Sequence, residues 1–478
     1  MLKLNNHNNN NHNNQKLENF IDEDLIIKTL EATKDCSREW AKRIVARALE
    51  MEGLNFFEVS CLLNCDDPEV LEDIFAAARQ IKDKIYGDRI VMFAPLYISN
   101  LCGNECLYCA FRATNKELAR RALTQEEIER EVKNLVDQGH KRVLMVAGES
   151  YPHEGFEYVL KSIDTVYKVQ SGNGSIRRVN VNIAPLEVEE FRQLKEKGIG
   201  TFQLFQETYH VPTYEKMHTG GKKKNFLWRL YAMDRAFQAG IDDVGIGVLF
   251  GLYDYKYEIL ALMQHIKHLE DEFGVGPHTI SVPRLEPADG SSVSVEPPFP
   301  VTDEQFKKIV AILRIAVPYT GIIMSTRETP KIRRETFAVG VSQISAGSRT
   351  NPGGYSVDDF EEHSSQFSLG DHRALDEVIN DLVTMKYIPS FCTACYRLGR
   401  TGHDFMDMAK PGDIKYHCSL NALSTLLEYL NDYASPRTKE AGEKLIREKL
   451  DASDDEKWKT IASEMLEQVK SGKRDCFI

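Results

Sequence analysis

Three cysteines, Cys102, Cys106 and Cys109, stand at C-x3-C-x2-C spacing in the run Leu101-Cys102-Gly103-Asn104-Glu105-Cys106-Leu107-Tyr108-Cys109. Thiolates this crowded suit a soft metal or an iron–sulfur cluster better than a disulfide framework. Three ligands on a four-iron cubane leave one iron open to a substrate or cofactor. The chain has ten cysteines, and a second set of three lies towards its other end. Cys392 and Cys395 form a C-x2-C pair, with Cys418 further on. This set suits a second cluster with an open iron, or a zinc site completed by His403 or His417. Cys36, Cys61, Cys65 and Cys476 read as ordinary thiols.

Other candidate residues sit where strand-like runs end. Ala147-Gly148-Glu149-Ser150 closes one such run, and a glycine there lets backbone approach a ligand closely. Gln206-Glu207-Thr208 closes another, with a carboxylate suited to accepting hydroxyl hydrogen bonds. Arg284 and Arg327 occupy Val282-Pro283-Arg284-Leu285-Glu286-Pro287 and Ser325-Thr326-Arg327-Glu328. A guanidinium at such a place suits bidentate grip of a carboxylate, as an amino-acid substrate would need. The alternative for each arginine is a structural ion pair with Glu286 or Glu328.

The elements that must position these residues alternate. Strand-like runs are expected at 90–98, 142–147, 178–183, 201–206, 243–248, 279–283, 322–325 and 340–345. Helical stretches are expected between them, including 124–138, 187–196, 226–239, 257–273 and 302–317. Alternation of this kind means parallel strands with right-handed crossovers. Eight units make a TIM-type (β/α)8 barrel, with its active site at the C-terminal strand ends, where the first cysteine loop falls. An open doubly wound sheet is the alternative. Four regions follow: an Asn-rich disordered tail over 1–19, a helical N-terminal extension over 20–86, the barrel over 87–350, and a mainly helical C-terminal cluster domain over 351–478. Asp67-Pro68-Glu69 is a strong helix start within the extension.

Composition narrows the classes of function. The 478 residues carry 60 Lys and Arg against 72 Asp and Glu, a net charge of −12. An acidic chain without a long basic run is a poor match to nucleic-acid binding. No apolar stretch approaches the roughly 20 residues of a membrane span. No signal-peptide pattern is present, which points to the cytoplasm.

The three-cysteine motif resembles the radical S-adenosylmethionine (SAM) signature. With it, the runs Phe205-Gln206-Glu207-Thr208-Tyr209-His210 and Ser325-Thr326-Arg327-Glu328 resemble the radical SAM tyrosine lyases. Cys392-Thr393-Ala394-Cys395-Tyr396-Arg397 with Cys418 extends the resemblance to the tyrosine lyases of [FeFe]-hydrogenase maturation. The resemblance implies a first [4Fe–4S] cluster on Cys102, Cys106 and Cys109, with SAM chelated at its open iron. Gly148 and Glu149 match the family's Gly-Gly-Glu element in part, with Ala147 replacing the first Gly. Glu207 would hold the SAM ribose and Tyr108 would pack near the adenine.

The implied reaction cleaves the Cα–Cβ bond of L-tyrosine, giving p-cresol and dehydroglycine. Dehydroglycine would become carbon monoxide and cyanide at a second [4Fe–4S] cluster on Cys392, Cys395 and Cys418. An additional iron there would carry both ligands as a synthon for the hydrogenase. Arg327 is the first choice for the tyrosine carboxylate, Arg284 the second, with Ser325 beside them. The additional iron needs a histidine; His278, at a strand start, is preferred to His265 and His268. Implied partners are a reductant such as ferredoxin or flavodoxin and other hydrogenase maturation proteins. Two rival functions are tyrosine lysis for thiazole synthesis, stopping at dehydroglycine, and a non-catalytic iron–sulfur scaffold.

Overall fold

The computed structural model describes residues 17–356 and 364–478. The expected tail therefore lies outside the described residues up to 16, as does 357–363 of the loop after the barrel.

Eight parallel strands close into a barrel: β1 (Arg89–Ser99), β2 (Arg142–Ala147), β3 (Arg178–Asn182), β4 (Phe202–Gln203), β5 (Val244–Gly247), β6 (Thr279–Ser281), β7 (Gly321–Met324) and β8 (Gln343–Ser345). Closure runs through Val91, Met92 and Phe93 of β1, which face Gln343, Ile344 and Ser345 of β8. Helices cover the outside, as parallel strands buried on both faces require. Among the described residues, no helix is long and apolar enough to cross a membrane.

Three expected elements are shorter or broken. The run 201–206 yields only Phe202–Gln203, because Glu207 takes φ 73° and turns the chain. The run 340–345 starts at Gln343, because Gly340, at φ 148°, ends the helix Pro330–Val339. The expected helix over 226–239 splits at Tyr231 into Phe226–Leu230 and Ala232–Gln238.

Four helices form the N-terminal extension, Glu23–Ala32, Arg38–Ala48, Phe56–Asn64 and Pro68–Ile85. Asp67 caps the last by accepting from the Glu69 and Val70 amides, with Pro68 in its first turn. Buried Lys308, on the barrel helix Asp303–Ala316, ties the extension down. Its Nζ donates to the Leu63 and Cys65 carbonyls and to Asp66.

A ninth strand, β9 (Ile388–Ser390), lies parallel to the first residues of β1, pairing Arg89 to Val91. β2 joins the same side of β1 only from Ala94 onward. The C-terminal region thus adds to the barrel wall at its floor, and its helices Leu375–Thr384, Ile414–Asp432, Pro436–Asp451 and Glu456–Lys470 follow around it. Glu428 locks Ile414–Asp432 to that floor. Its carboxylate meets Lys141 at 2.8 Å and also pairs with Arg177. Burial works against ionisation here, but Arg177 and Lys141 win and bring Glu428 down to about 2.

Candidate functional site

At the upper, C-terminal end of the strands lies a cavity of about 190 Å³. β1 delivers the cysteine loop straight to it. Arg120 braces the loop by donating to the Asn100 and Phe111 carbonyls, at 2.9 and 2.8 Å. The Cys109 amide donates to the Cys106 carbonyl, making a tight turn that brings those thiols together. Glu105 and Cys106 also pair antiparallel with Gly220 and His218. Gly148 sits against this loop: a Cβ there would collide with the Leu101 carbonyl oxygen. That close approach is why the second-strand element needs glycine.

All three thiols line the cavity, with Tyr108, Gly148, Glu149 and Glu207. Burial pushes each thiol up, Cys109 to about 11. Three thiols lining one cavity suit a metal cluster, since coordination to cationic iron would hold each thiol deprotonated against the effect of burial.

Two residues missed by sequence reading complete the site. Lys223 donates to Glu207 at 2.6 Å, and Arg229 donates to Glu149 at 2.8 Å. Asn104, inside the cysteine loop, also donates to Glu149, and its carbonyl oxygen accepts from the Lys223 amide. Burial alone would raise both glutamates. The charges of Arg229 and Lys223 outweigh it, holding Glu149 and Glu207 below the usual carboxylate range. Tyr108 is fixed by a 2.8 Å hydrogen bond with His218.

The two arginines part company. Arg327 and Ser325 line the cavity. The Arg327 guanidinium lies 3.3 Å from the centroid of the Phe367 ring. Its Nη1 donates to the Arg284 carbonyl at 3.4 Å, and it makes none of the ion pairs found among the described residues, so the rest of its fork can take a carboxylate. Arg284 does not line the cavity. It pairs with Glu328 and, at 3.0 Å, with Asp303. Its expected role in holding substrate is corrected to a structural ion pair, because its fork is already filled by a buried carboxylate.

At the opposite end, a cavity of about 40 Å³ collects Cys392, Cys395, Cys418 and His278. β9 leads directly into Cys392, whose carbonyl accepts from Arg142 at 2.8 Å. Cys395 follows on the short helix Ala394–Arg397, and Cys418 comes from the helix Ile414–Asp432. A hydrogen bond from Cys395 lowers the Cys418 thiol, helped by the nearby charges of Arg89, Arg400 and Arg142. Burial lowers His278, which keeps its imidazole neutral and competent as a ligand. Its Nδ1 lies 3.5 Å from Asp243 and makes no hydrogen bond. His265 is instead held by the Tyr209 hydroxyl at 2.7 Å, and His268 by Asp234 at 2.7 Å. Among the described residues, neither His403 nor His417 lines this cavity. Three thiols, one imidazole and flanking guanidinium groups are the donor types that an anionic cluster with an attached iron would need, although among the described residues no three such donors are drawn together closely enough to hold one metal ion.

Some polar side chains of the strands face the barrel interior from each cavity. Asn182, Gln203, Ser281 and Ser345 line the upper cavity and Gln343 the lower one.

Comparison with known proteins agrees with this layout. Residues 96–266 match the Radical SAM superfamily and 281–388 the Biotin and Thiamin Synthesis associated domain. The 2-iminoacetate synthase of Salmonella typhimurium is 32% identical over 71% of this chain and 87% of its own length. A crystal structure of HydG, a maturase of the [FeFe]-hydrogenase, superposes with a TM-score of 0.93 at 48% identity, covering 96% of this chain and all of that one. The HydG of Carboxydothermus hydrogenoformans superposes at 0.81 with 40% identity, over 93% of this chain and 98% of its own. The chain is a radical SAM enzyme and belongs to the HydG family of [FeFe]-hydrogenase maturases.

Proposed function

We propose that this enzyme cleaves L-tyrosine in the upper cavity and builds an iron–carbonyl–cyanide synthon in the lower one. The observation that carries the reading is the pairing of two three-thiol sites at opposite ends of one barrel. When bound and reduced, the [4Fe–4S] cluster at Cys102, Cys106 and Cys109 supplies an electron to SAM, which yields a 5′-deoxyadenosyl radical.

The chain's own residues do the rest. Glu207 accepts from the ribose hydroxyls of SAM, and Tyr108 packs near its adenine. Lys223 and Arg229 keep Glu207 and Glu149 ionised and place positive charge beside the SAM carboxylate. Arg327 grips the carboxylate of tyrosine, with Ser325 beside it, and thereby presents the substrate amino group. Loss of a hydrogen atom from that nitrogen to the 5′-deoxyadenosyl radical leads to Cα–Cβ cleavage into dehydroglycine and a 4-hydroxybenzyl radical, which takes an electron from the external reductant and a proton to become p-cresol. Enclosure of the cavity keeps water from the radical.

Dehydroglycine then passes to the lower site and breaks down to carbon monoxide, cyanide and water. Cys392, Cys395 and Cys418 hold the second [4Fe–4S] cluster, and His278 holds the additional iron, which leaves as cargo. Acceptors are other hydrogenase maturation proteins. A ferredoxin or flavodoxin supplies electrons, and the cytoplasm suits such a carrier. Tyrosine lysis for thiazole synthesis would leave the lower site without a purpose, and a passive scaffold would leave the Glu149, Glu207 and Arg327 cavity without one.

The test is the Cys392→Ala/Cys395→Ala double variant, reconstituted anaerobically with dithionite, SAM and tyrosine. It is expected to keep p-cresol formation and lose carbon monoxide. Carbon monoxide at the parent yield would overturn the two-site reading. His278→Ala is expected to lose the additional iron; unchanged iron content and carbon monoxide would overturn that assignment.

A further inference from the structure

The lower site has a larger neighbour. A cavity of about 450 Å³ opens between the β3, β4 and β5 starts and the C-terminal region. Tyr396 lines both this cavity and that of Cys392, Cys395 and Cys418. Its ring lies under Arg178, with the guanidinium 3.3 Å from the centroid, and its hydroxyl lies 3.1 Å from Thr201 Oγ1. Asp243 makes the second bridge. It lines the large cavity while its carboxylate stands 3.5 Å from His278 on the other side.

This partition is polar and unfinished. Both carboxylate oxygens of Asp243 and the Nε of Arg178 are buried without hydrogen-bond partners. Native proteins satisfy such groups, so a wall with several open donors and acceptors is built to face water or a polar solute. Charge sets the preference: of the lining cations, Arg177 is paired with Glu428 and Asp475, Lys197 with Asp164 and Arg397 with Asp475, while Lys195 on the rim and Arg178 against Tyr396 make no ion pair among the described residues and favour an anion. Material reaching the lower site through the barrel would have to pass the upper one. The side cavity leaves only one aromatic ring and one carboxylate in the way.

We propose that this cavity is the port of the lower site, through which small anionic or zwitterionic molecules enter and leave past Tyr396. The proposal rests on the two-site reading for what the port serves. Its geometry concerns this chain's thiols and is tested on them directly.

The probes are iodoacetate and iodoacetamide, applied to the full-length, cluster-free chain, with alkylation of each cysteine followed by peptide mass spectrometry. Thr401→Trp fills the port, since Thr401 lines it and is half-buried. It is expected to slow alkylation of Cys395 by about tenfold, a barrier change of about 1.4 kcal/mol, with Cys106 unchanged. Tyr396→Ala removes the partition and is expected to speed Cys395 alkylation. Lys195→Gln, on the exposed rim, is expected to slow iodoacetate more than iodoacetamide. In the reconstituted holoenzyme, Thr401→Trp should also slow iron loss to a ferrous chelator while leaving 5′-deoxyadenosine formation at the parent rate. Unchanged Cys395 alkylation in both Thr401→Trp and Tyr396→Ala overturns the port, as does an equal change at Cys106. Equal effects of Lys195→Gln on the two reagents overturn its preference for anions. Failure of the two-site reading shows elsewhere, as iron content that Cys392→Ala does not reduce.

Discussion

The contrast between Arg327 and Arg284 gives the sharpest test of the upper cavity. Both end barrel strands beside a glutamate, yet only Arg327 lines the cavity and lacks an acidic partner among the described residues. A guanidinium fork on a carboxylate makes two charge-assisted hydrogen bonds of about 1.5–3 kcal/mol each. Arg327→Ala should therefore weaken tyrosine binding by about 3–5 kcal/mol, roughly 10²–10⁴-fold. Arg327→Lys keeps the charge but loses the fork, and should cost roughly 10–100-fold. Glu286, half-buried beside Arg327 and already pushed up to about 7 chiefly by burial, can keep its proton when that charge is lost, so thermal stability should move less than in Arg284→Ala. Arg284→Ala leaves Glu328, whose side chain is 2% exposed, without its counter-charge. That should cost about 3–5 kcal/mol of stability. KM for tyrosine, from p-cresol formation, and Tm from calorimetry read the two effects separately. An unchanged KM in Arg327→Ala, or a Tm that falls as far as that of Arg284→Ala, refutes the reasoning.

Three further outcomes are expected. Gly148→Ala drives a methyl into the Leu101 carbonyl and should abolish SAM cleavage while leaving far-ultraviolet circular dichroism intact. Glu258 is buried and pushed up from 4.5 to about 8, mainly by burial, while it accepts from Thr208 and the Tyr209 amide. The folded state holds its proton longer than the unfolded chain, so this group costs stability as pH rises from about 4.5 to 8. Glu258→Gln should flatten the fall of Tm over that window; an identical slope refutes the assignment. Glu428 has the opposite sign. Drawn down to about 2, it stabilises above the unfolded value and loses that contribution as pH falls below about 4.5, worth roughly 3 kcal/mol. Glu428→Gln should lower Tm at neutral pH and show a shallower acid transition.

The parts legible in the sequence were those that depend on type and spacing. The two sets of three cysteines stood out by spacing alone, and the structure gathers each set at one cavity. Alternating strands and helices led to the barrel, and the barrel put the first loop at its active end. His278 followed from topology, since a strand start must face the floor. Side-chain direction was not legible. Arg284 and Arg327 look alike in the chain, and only packing shows that Glu328 turns towards the first. Lys223 sits in the run Lys222-Lys223-Lys224, which reads as a solvated stretch. It is buried because the ladder between Glu105 and Gly220 folds that stretch over the cysteine loop. The preceding Gly220-Gly221 pair was the available hint: a Cβ on Gly221 would meet Asn104. Arg229 gave no local sign, since its partners Glu149 and Glu207 come from other strands.

The placement of β9 against the start of β1 orders events in time. Parts of the upper site lie within the barrel, whose last strand ends at Ser345. The lower site needs Cys392 and Cys418, and β9 to seat them beside Arg89. During synthesis, the first strand must wait for a neighbour encoded most of the chain later, a long-range closure that slows folding. The ribosome therefore exposes the SAM cluster loop well before the lower site exists. The lower cavity cannot form until Cys392, Cys418 and the C-terminal helices emerge, so the two ends of the barrel are completed in a fixed order.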